Sequence, residues 1–331
     1  MPALAAALDD VPALRAALDA GANIEAKEGE RGTTMLYMAV QKGSLNAARL
    51  LLDRGANSNS SVMYYDSLLS VAIINKHLDI ARLLLQRGAD PNGHGNVQTD
   101  PGAAPLVVAC SFLPQLVPEL LQRGASVKTA GGYALAAAIS SKYPELVGLL
   151  LKQGANCRGK AGYAVLSAAI AYQPDLVPRI LAQGSLTRET LSQGNTLISQ
   201  CVRHGRRELI VPMLHAGADV NGTVLLQSRV QSANSPMFYT TPLIEAFTQK
   251  PDLMALLLDQ GADPNKPNSQ GEAPLTLAAQ TGNVAATKLL LKHGAKVNVV
   301  GTTRHTPLYF ARRHKYPDVV ALLEKTGGKE E

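Results

Sequence analysis

The 331 residues contain no tryptophan and four phenylalanines, while 46% of them are hydrophobic, mostly leucine and alanine. Large aromatic plugs are thereby excluded from the core, which must come from thin elements whose small side chains permit close approach. No apolar run reaches the roughly 18 residues that a membrane-spanning helix needs, so no membrane partner is expected. Met1 is followed by an Ala/Leu segment carrying Asp9 and Asp10, without the basic start of a secretion signal. The three cysteines, Cys110, Cys157 and Cys201, make neither a close pair nor a metal spacing. A reducing, cytoplasmic setting follows, with nuclear or host-cell delivery left open. Cys110 and Cys201 read as buried packing atoms, whereas Cys157, after a Gly-Ala-Asn turn, reads as exposed.

Chemistry is sparse as well. His77, His94, His204, His215, His293, His305 and His314 are scattered, and no His-x-x-x-His, Cys-x-x-Cys, phosphate-cradling glycine loop or nucleophile elbow occurs. No catalytic residue, metal site or cofactor is therefore expected. The one enzymatic alternative is a groove assembled from several parts of the chain, for example Arg203 and His204 with residues of an inserted loop.

What is present is a period. A segment ending in Leu-Leu-x-x-Gly-Ala returns about every 33 residues, its glycine falling at Gly21, Gly55, Gly88, Gly124, Gly154, Gly184, Gly217, Gly261, Gly294 and Gly327. Ten repeats ending near 24, 59, 92, 128, 157, 187, 221, 265, 298 and 331 fill the chain as a single domain, 1–331. The step is 36 residues from Gly88 to Gly124 and 44 from Gly217 to Gly261, which places inserted loops at 93–103 and 222–240; around Gly154 it contracts to 30.

The ninth repeat spells two short helices. Pro274 suits a first helical turn, Leu275, Ala278 and Ala279 form an i, i+3, i+4 stripe, and Gly282 ends the helix. Leu289 and Leu290 lie on the buried face of a second helix that stops at Gly294. Proline opens the second helix at Pro114, Pro144, Pro174, Pro251 and Pro317. Pro118, Pro178 and Pro212 lie deeper, where a lost hydrogen bond should bend the helix and change the curvature between repeats four and seven.

Thr241-Pro242-Leu243, Thr306-Pro307-Leu308, Ala104-Pro105-Leu106 and the endings Gly88-Ala-Asp-Pro-Asn92, Gly217-Ala-Asp-Val-Asn221 and Gly261-Ala-Asp-Pro-Asn265 resemble the ankyrin repeat. That resemblance covers essentially the whole chain. It implies an all-α solenoid with short β-hairpin-like loops and a concave binding face; asparagines at the place of Asn221, Asn265 and Asn298 are hydroxylated in some ankyrin proteins, and the simpler reading is that they bond their own turn. Tyr133 and Tyr163 stand where the family has threonine, and shortened hairpins are expected there.

The resemblance further implies a non-catalytic module that binds a partner protein through the concave face and the 222–240 insertion. Its variable positions fall on Gln41, Lys42, Asn75, Ser140, Ser141, Arg203, His204, Thr248, Gln280, Thr281, Arg313 and His314. Tyr64, Tyr65, Met237, Phe238 and Tyr239 add aromatic and methionine area of the kind enriched in interface cores. Phe238 and Tyr239 could equally pin the insertion to the solenoid.

The formal charge of +6 concentrates in Arg203, His204, Arg206 and Arg207, and again in Arg304, Arg312, Arg313, His314 and Lys315. A solvated face explains such clusters; the sharper reading is a patch for an acidic protein. With 32 basic against 26 acidic residues and no aromatic interleaving, nucleic acid is disfavoured. An inhibitor or pathogen effector acting on a partner enzyme is the alternative function. Wettable terminal repeats, with a frayed tail at Lys325–Glu331, point to a monomer.

Overall fold

The computed structural model describes residues 2–28, 32–62, 66–93, 103–157, 160–182, 184, 197–226, 238–249, 251–302 and 304–330. By internal contacts the chain divides into two compact parts, Met1–Cys157 and Arg158–Glu331. The first part holds α1 (Pro2–Ala7), α2 (Val11–Asp19), α3 (Met35–Lys42), α4 (Leu45–Asp53), α5 (Leu68–Ile74), α6 (Leu78–Gln86), α7 (Pro105–Phe112), α8 (Val117–Gln122), α9 (Val127–Ser140) and α10 (Pro144–Lys152). The second holds α11 (Lys160–Tyr172), α12 (Val177–Leu181), α13 (Leu197–His204), α14 (Arg207–His215), α15 (Pro242–Gln249), α16 (Pro251–Asp259), α17 (Pro274–Gln280), α18 (Val284–Lys292), α19 (Pro307–Arg313) and α20 (Pro317–Lys325). The fold is all-α. Among the described residues two antiparallel ribbons accompany the helices: β1 (Ser61–Val62) with β2 (Asp66–Ser67), and β3 (Val224–Leu226) with β4 (Phe238–Thr240).

Each phrase of the repeat has a local cause. The threonine of Thr-Pro-Leu is the N-cap of the first helix: the hydroxyls of Thr34, Thr241 and Thr306 accept from the backbone N–H three residues on, and Ser67 and Ser126 do the same. The following proline occupies the position where a missing N–H costs nothing, as at Pro105, Pro274 and Pro307. Leu-Leu-x-x-Gly-Ala is a helix-ending motif. All ten repeat glycines have positive φ, and the alanine N–H after them returns to the carbonyl five residues back, as from Ala56 to Leu51 and Ala295 to Leu290. Leu51, Leu84, Leu120, Leu150, Leu257 and Leu290 are fully buried beneath these turns.

Successive repeats are joined by asparagine. In Gly-Ala-x-x-Asn the Asn side chain reaches forward to the next repeat and accepts from one N–H while donating to the glycine carbonyl. Asn59 accepts from Asp90 (2.7 Å) and donates to Gly88 (3.0 Å); Asn92 accepts from Ser126 (2.6 Å) and donates to Gly124 (3.2 Å). Asn221 holds Asp263 and Gly261, Asn265 holds Lys296 and Gly294, and Asn298 holds Lys329 and Gly327, at 2.7 Å and 3.1–3.2 Å in each case. The expectation that these asparagines bond their own turn is therefore corrected. That task falls to the residue two before, since Asp90, Asp219 and Asp263 accept from the N–H of Asn92, Asn221 and Asn265. The frayed tail is corrected for the same reason. Gly327 and Lys329 sit in the Asn298 clamp, Thr306 donates to the Lys329 carbonyl at 2.6 Å, and Arg312 pairs with Glu330.

Three further expectations change. Cys157 is buried, not exposed. Pro118 and Pro178 do not interrupt second helices: a short 3₁₀ turn at Pro114–Leu116 or Pro174–Leu176 precedes α8 and α12, so each proline falls in a first α-helical turn. Pro212 does lie inside α14. In repeat five no shortened hairpin forms: Ser126 caps α9 directly after Gly124, and a 14-residue helix runs through the place of the hairpin. The 13-residue α11 is long in the same way.

Between their two helices many of the repeats place one left-handed residue, though those of Leu113 and Gln173 do without it. It is Gly43, Gly205 or Gly282 in some repeats and Asp9, Lys76, Lys142 or Lys315 in others. At Gly43 and Gly282 cover from the next repeat demands glycine. A Cβ on Gly43 would lie 2.7 Å from the His77 ring, and one on Gly282 would lie 2.6 Å from Tyr316. The corresponding residues after Asp9, Lys76 and Lys142 are Ser44, Leu113 and Gln173, with no ring to cover the turn. Gly282→Ala should therefore cost about 2–4 kcal/mol, combining left-handed strain with overpacking. Gly55→Ala, which has positive φ but open space, should cost about 1–2 kcal/mol; urea unfolding of the two variants tests the difference.

Candidate functional site

The sequence-derived site residues divide between the two parts. In the first, Gln41 and Lys42 end α3 and Asn75 follows α5. Gln41 donates weakly to the Tyr37 hydroxyl (3.5 Å), and Asn75 donates back to Val71 of its own helix (2.9 Å). Lys42 is exposed. Ser140 ends α9 and is exposed, with Ser141 as the capping residue. Two apolar side chains at first-helix ends, Ile74 and Phe112, are also exposed, at 40% and 41%; helical periodicity gave no sign of them because they lie at the last turn. Tyr64 and Tyr65 lie outside the described residues.

In the second part the basic cluster of repeat seven is tied largely into the fold. Arg203 on α13 places Nε and Nη2 on the Glu245 carboxylate of α15 (3.0 and 2.7 Å), where Glu245 is buried. Arg206 donates to the carbonyls of Ile170 and Ala171 (3.1 and 3.3 Å), satisfying the end of α11. Arg207 donates to the Asp252 carbonyl (3.0 Å). Gln200 donates to the Tyr163 hydroxyl (2.8 Å), and burial pushes the Tyr163 phenol above its ordinary range. His204 is exposed; partial burial and then the Arg206 and Arg203 guanidiniums hold its imidazole below the usual value, which favours the neutral ring. Glu245 was missed from the sequence because an acid after Leu243-Ile244 reads as one more exposed helix position.

Repeat ten presents a different surface. His305 stacks on Tyr309 at 3.8 Å and 10°, Phe310 meets both rings edge-on, and Arg313 donates to the Tyr309 hydroxyl (2.8 Å) with its guanidinium carbon 6.0 Å from the ring centroid. Arg313, His314 and Arg304 are exposed, Arg304 with a left-handed backbone. Arg312 is held by Glu324 and Glu330.

Gln280 contacts Glu272 (3.4 Å), which also receives Asn268 (3.0 Å). Thr281 donates to the Leu277 carbonyl of its own helix (2.8 Å). At the ribbon, Tyr239 is 36% exposed while its carbonyl accepts from Ser269 (3.0 Å), so β4 is anchored to the hairpin of repeat nine. Phe238 belongs to β4; its side chain, that of Thr248 and the whole of Met237 lie outside the described residues.

Among the described residues no group of three or more His, Cys, Asp or Glu could hold a metal ion, and no helix is long and apolar enough to cross a membrane. The three thiols are buried and unpaired by disulfide, and burial pushes Cys110 and Cys201 up to about 12 and Cys157 up to about 11. They are protonated at neutral pH and poorly nucleophilic.

Because Glu245 is 9% exposed and Arg203 37%, removing the arginine leaves a carboxylate poorly solvated. Arg203→Ala should lower unfolding stability by about 1–3 kcal/mol, less than a fully buried pair would lose. Arg203→Ala combined with Glu245→Gln should recover part of that loss in the same urea titration.

A family model described as ankyrin repeats, in three copies, matches residues 3–94 and 240–330, more than half of the chain. Inversin of Mus musculus is 33% identical over 148 residues, 43% of this chain and 13% of inversin. Ankyrin repeat protein nuc-2 of Neurospora crassa is 27% identical over 139 residues, 42% of this chain and 12% of nuc-2. Human cyclin-dependent kinase inhibitor 2A is 35% identical over 74 residues, 22% of this chain and 47% of the inhibitor. The chain thus spans a small part of the length of inversin and nuc-2 and under half of the inhibitor. Its caps, glycine turns and helix pairs, together with the extent of that match, place it in the ankyrin-repeat family.

Proposed function

We propose that this chain is a non-catalytic binding module that captures a protein with an acidic surface through repeats seven to ten and the 222–240 insertion. The observation that carries the reading is the surface of repeat ten, where His305, Tyr309 and Arg313 form a stacked aromatic and cationic platform. An aromatic face with an arginine held across it offers large contact area at low entropic cost, the composition of binding hot spots. Arg304 extends its positive character, His314 lies exposed beside it, and Tyr239 brings an exposed ring to the root of the insertion. Met237, Phe238, Thr248, Gln280 and Thr281 complete the contact set. Arg203 contributes charge from α13 while also serving the fold, and His204 offers an exposed imidazole beside it. In the first part Gln41, Lys42, Tyr64, Tyr65 and Asn75 supply a further stretch of the same kind. Three buried thiols suit a reducing compartment.

A second reading has a specific support. Among the relatives are proteins whose names are cyclin-dependent kinase inhibitor 2A and cyclin-dependent kinase 4 inhibitor B, so the captured partner could itself be an enzyme that the module inhibits.

Tyr239→Ser combined with Tyr309→Ala and Arg313→Ala should abolish affinity capture of the partner, read by mass spectrometry against the wild-type chain. The melting temperature should shift little, because Tyr239 and Arg313 are exposed and Tyr309 is only partly buried. Unchanged capture by the triple variant would overturn this surface. Added activity assays on any captured enzyme separate inhibition from recruitment.

A further inference from the structure

Two of the five clamping asparagines differ from the others in the residue that follows. Asn92 precedes Gly93 and Asn221 precedes Gly222, whereas Asn59, Asn265 and Asn298 precede Ser60, Lys266 and Val299. These are the two Asn-Gly pairs of the chain, and each stands immediately before one of the two insertions. Glycine matters chemically because no side chain shields its backbone nitrogen. That nitrogen can attack the preceding asparagine Cγ: the new N–Cγ bond forms, the N–H proton passes to solvent, and the side-chain nitrogen leaves as ammonia. Water then opens the resulting five-membered imide at either carbonyl, giving aspartate or isoaspartate. The balance is one water consumed and one ammonia released, with no oxidant or cofactor.

The clamp opposes this reaction at each atom involved. The Asn221 side chain is turned away toward the next repeat, its Oδ1 on the Asp263 N–H (2.7 Å) and its Nδ2 on the Gly261 carbonyl (3.2 Å). The attacking nitrogen is engaged as well, since Gly222 donates to the Asp219 carbonyl (3.3 Å). Asn92 repeats the arrangement with Ser126 (2.6 Å), Gly124 (3.2 Å) and the Gly93 bond to Asp90 (3.0 Å). Ring closure requires the side chain to leave its partners and swing back over its own backbone. The product cannot return: where Nδ2 donated to a carbonyl, an aspartate presents an oxygen to that same carbonyl, and isoaspartate also lengthens the backbone. Nor can glycine simply be replaced at the first site. A Cβ on Gly93, which has φ +75°, would meet Pro105 at 3.1 Å and Ser67 at 3.2 Å.

We infer that Asn92 and Asn221 are self-modification sites, at which transient opening of the repeat stack is converted irreversibly to aspartate or isoaspartate, undoing the clamp at the root of each insertion. This depends on the stacking geometry and not on the identity of any partner. Opening gates the rate, so the reaction integrates how often each junction has come apart.

The test is prolonged incubation of the full chain in mildly alkaline buffer, folded and in concentrated urea, with peptide mass spectrometry for amide-to-acid exchange and enzymatic labelling of isoaspartate. In the folded protein, conversion at Asn92 and Asn221 should exceed that at Asn59, Asn265 and Asn298. It should run at least about tenfold slower than in urea, the factor set by an opening free energy of about 1.4 kcal/mol, and should accelerate at urea concentrations below the unfolding midpoint. Asn221→Asp, made directly, should lower the melting temperature by roughly 1–3 °C. Equal rates folded and unfolded, conversion no faster than at the three control asparagines, or an unchanged melting temperature for Asn221→Asp would each overturn the proposal.

Discussion

The hydrogen-bond pair made by the asparagine of Gly-Ala-x-x-Asn is the interaction on which the stacking of successive repeats depends. A helix ending in a left-handed glycine leaves its last carbonyls and the following N–H groups short of partners, and apolar packing alone cannot satisfy them. Each clamp solves both problems with one side chain from the repeat before. The net gain of a single hydrogen bond is only about 0.5–1.5 kcal/mol, so the clamp acts through repetition and through direction. It ties down the turns beneath which Leu84 and Leu290 are buried, and nearest-neighbour terms of that kind dominate repeat proteins.

The clamp also shows where the array departs from itself. At the equivalent position the chain has Glu25, whose carboxylate still accepts from Asn57 (2.7 Å), and then Lys128, Arg158 and Arg188 where the spacing contracts. In that stretch the hairpin of repeat five is absorbed into α9, and the cohesion seen elsewhere in the clamps is supplied by other groups. Between repeats six and seven Arg206 takes up the carbonyls of Ile170 and Ala171 and Gln200 joins Tyr163, while Arg203 joins Glu245 at the junction that Asn221 also clamps. Part of a basic cluster that looks like a surface patch in sequence is therefore a seam between repeats, and the less constrained positive surface is that of Arg304 and Arg313.

The helix pairs were legible because every cue is local: threonine or serine at the cap, proline in the first turn, glycine at the end. Cues that depend on a neighbouring repeat were not. Nothing in the order of residues says that Asn265 reaches forward to Lys296, that Tyr316 covers Gly282 and so demands glycine there, or that Cys157 is buried. Pro118 and Pro178 misled for a related reason, since a deleted turn residue moved the start of the second helix to meet them. The candidate site was legible as positions and not as interactions. Arg313 was found by its place in the repeat, but its platform of Tyr309 and His305 was not, because in sequence those rings occupy the place of ordinary helix and loop residues.

Native-state hydrogen exchange tests the central claim most directly, at the backbone N–H groups of Asp90, Ser126, Asp263, Lys296 and Lys329. All five lie in turns, where exchange should be fast unless the asparagine side chains hold them. Protection comparable to that of the adjacent second helices, lost at Lys296 alone when Asn265 is changed to alanine, is the result the account predicts. Exchange of these five at the rate of unstructured peptide, or protection unaffected by Asn265→Ala, would contradict it.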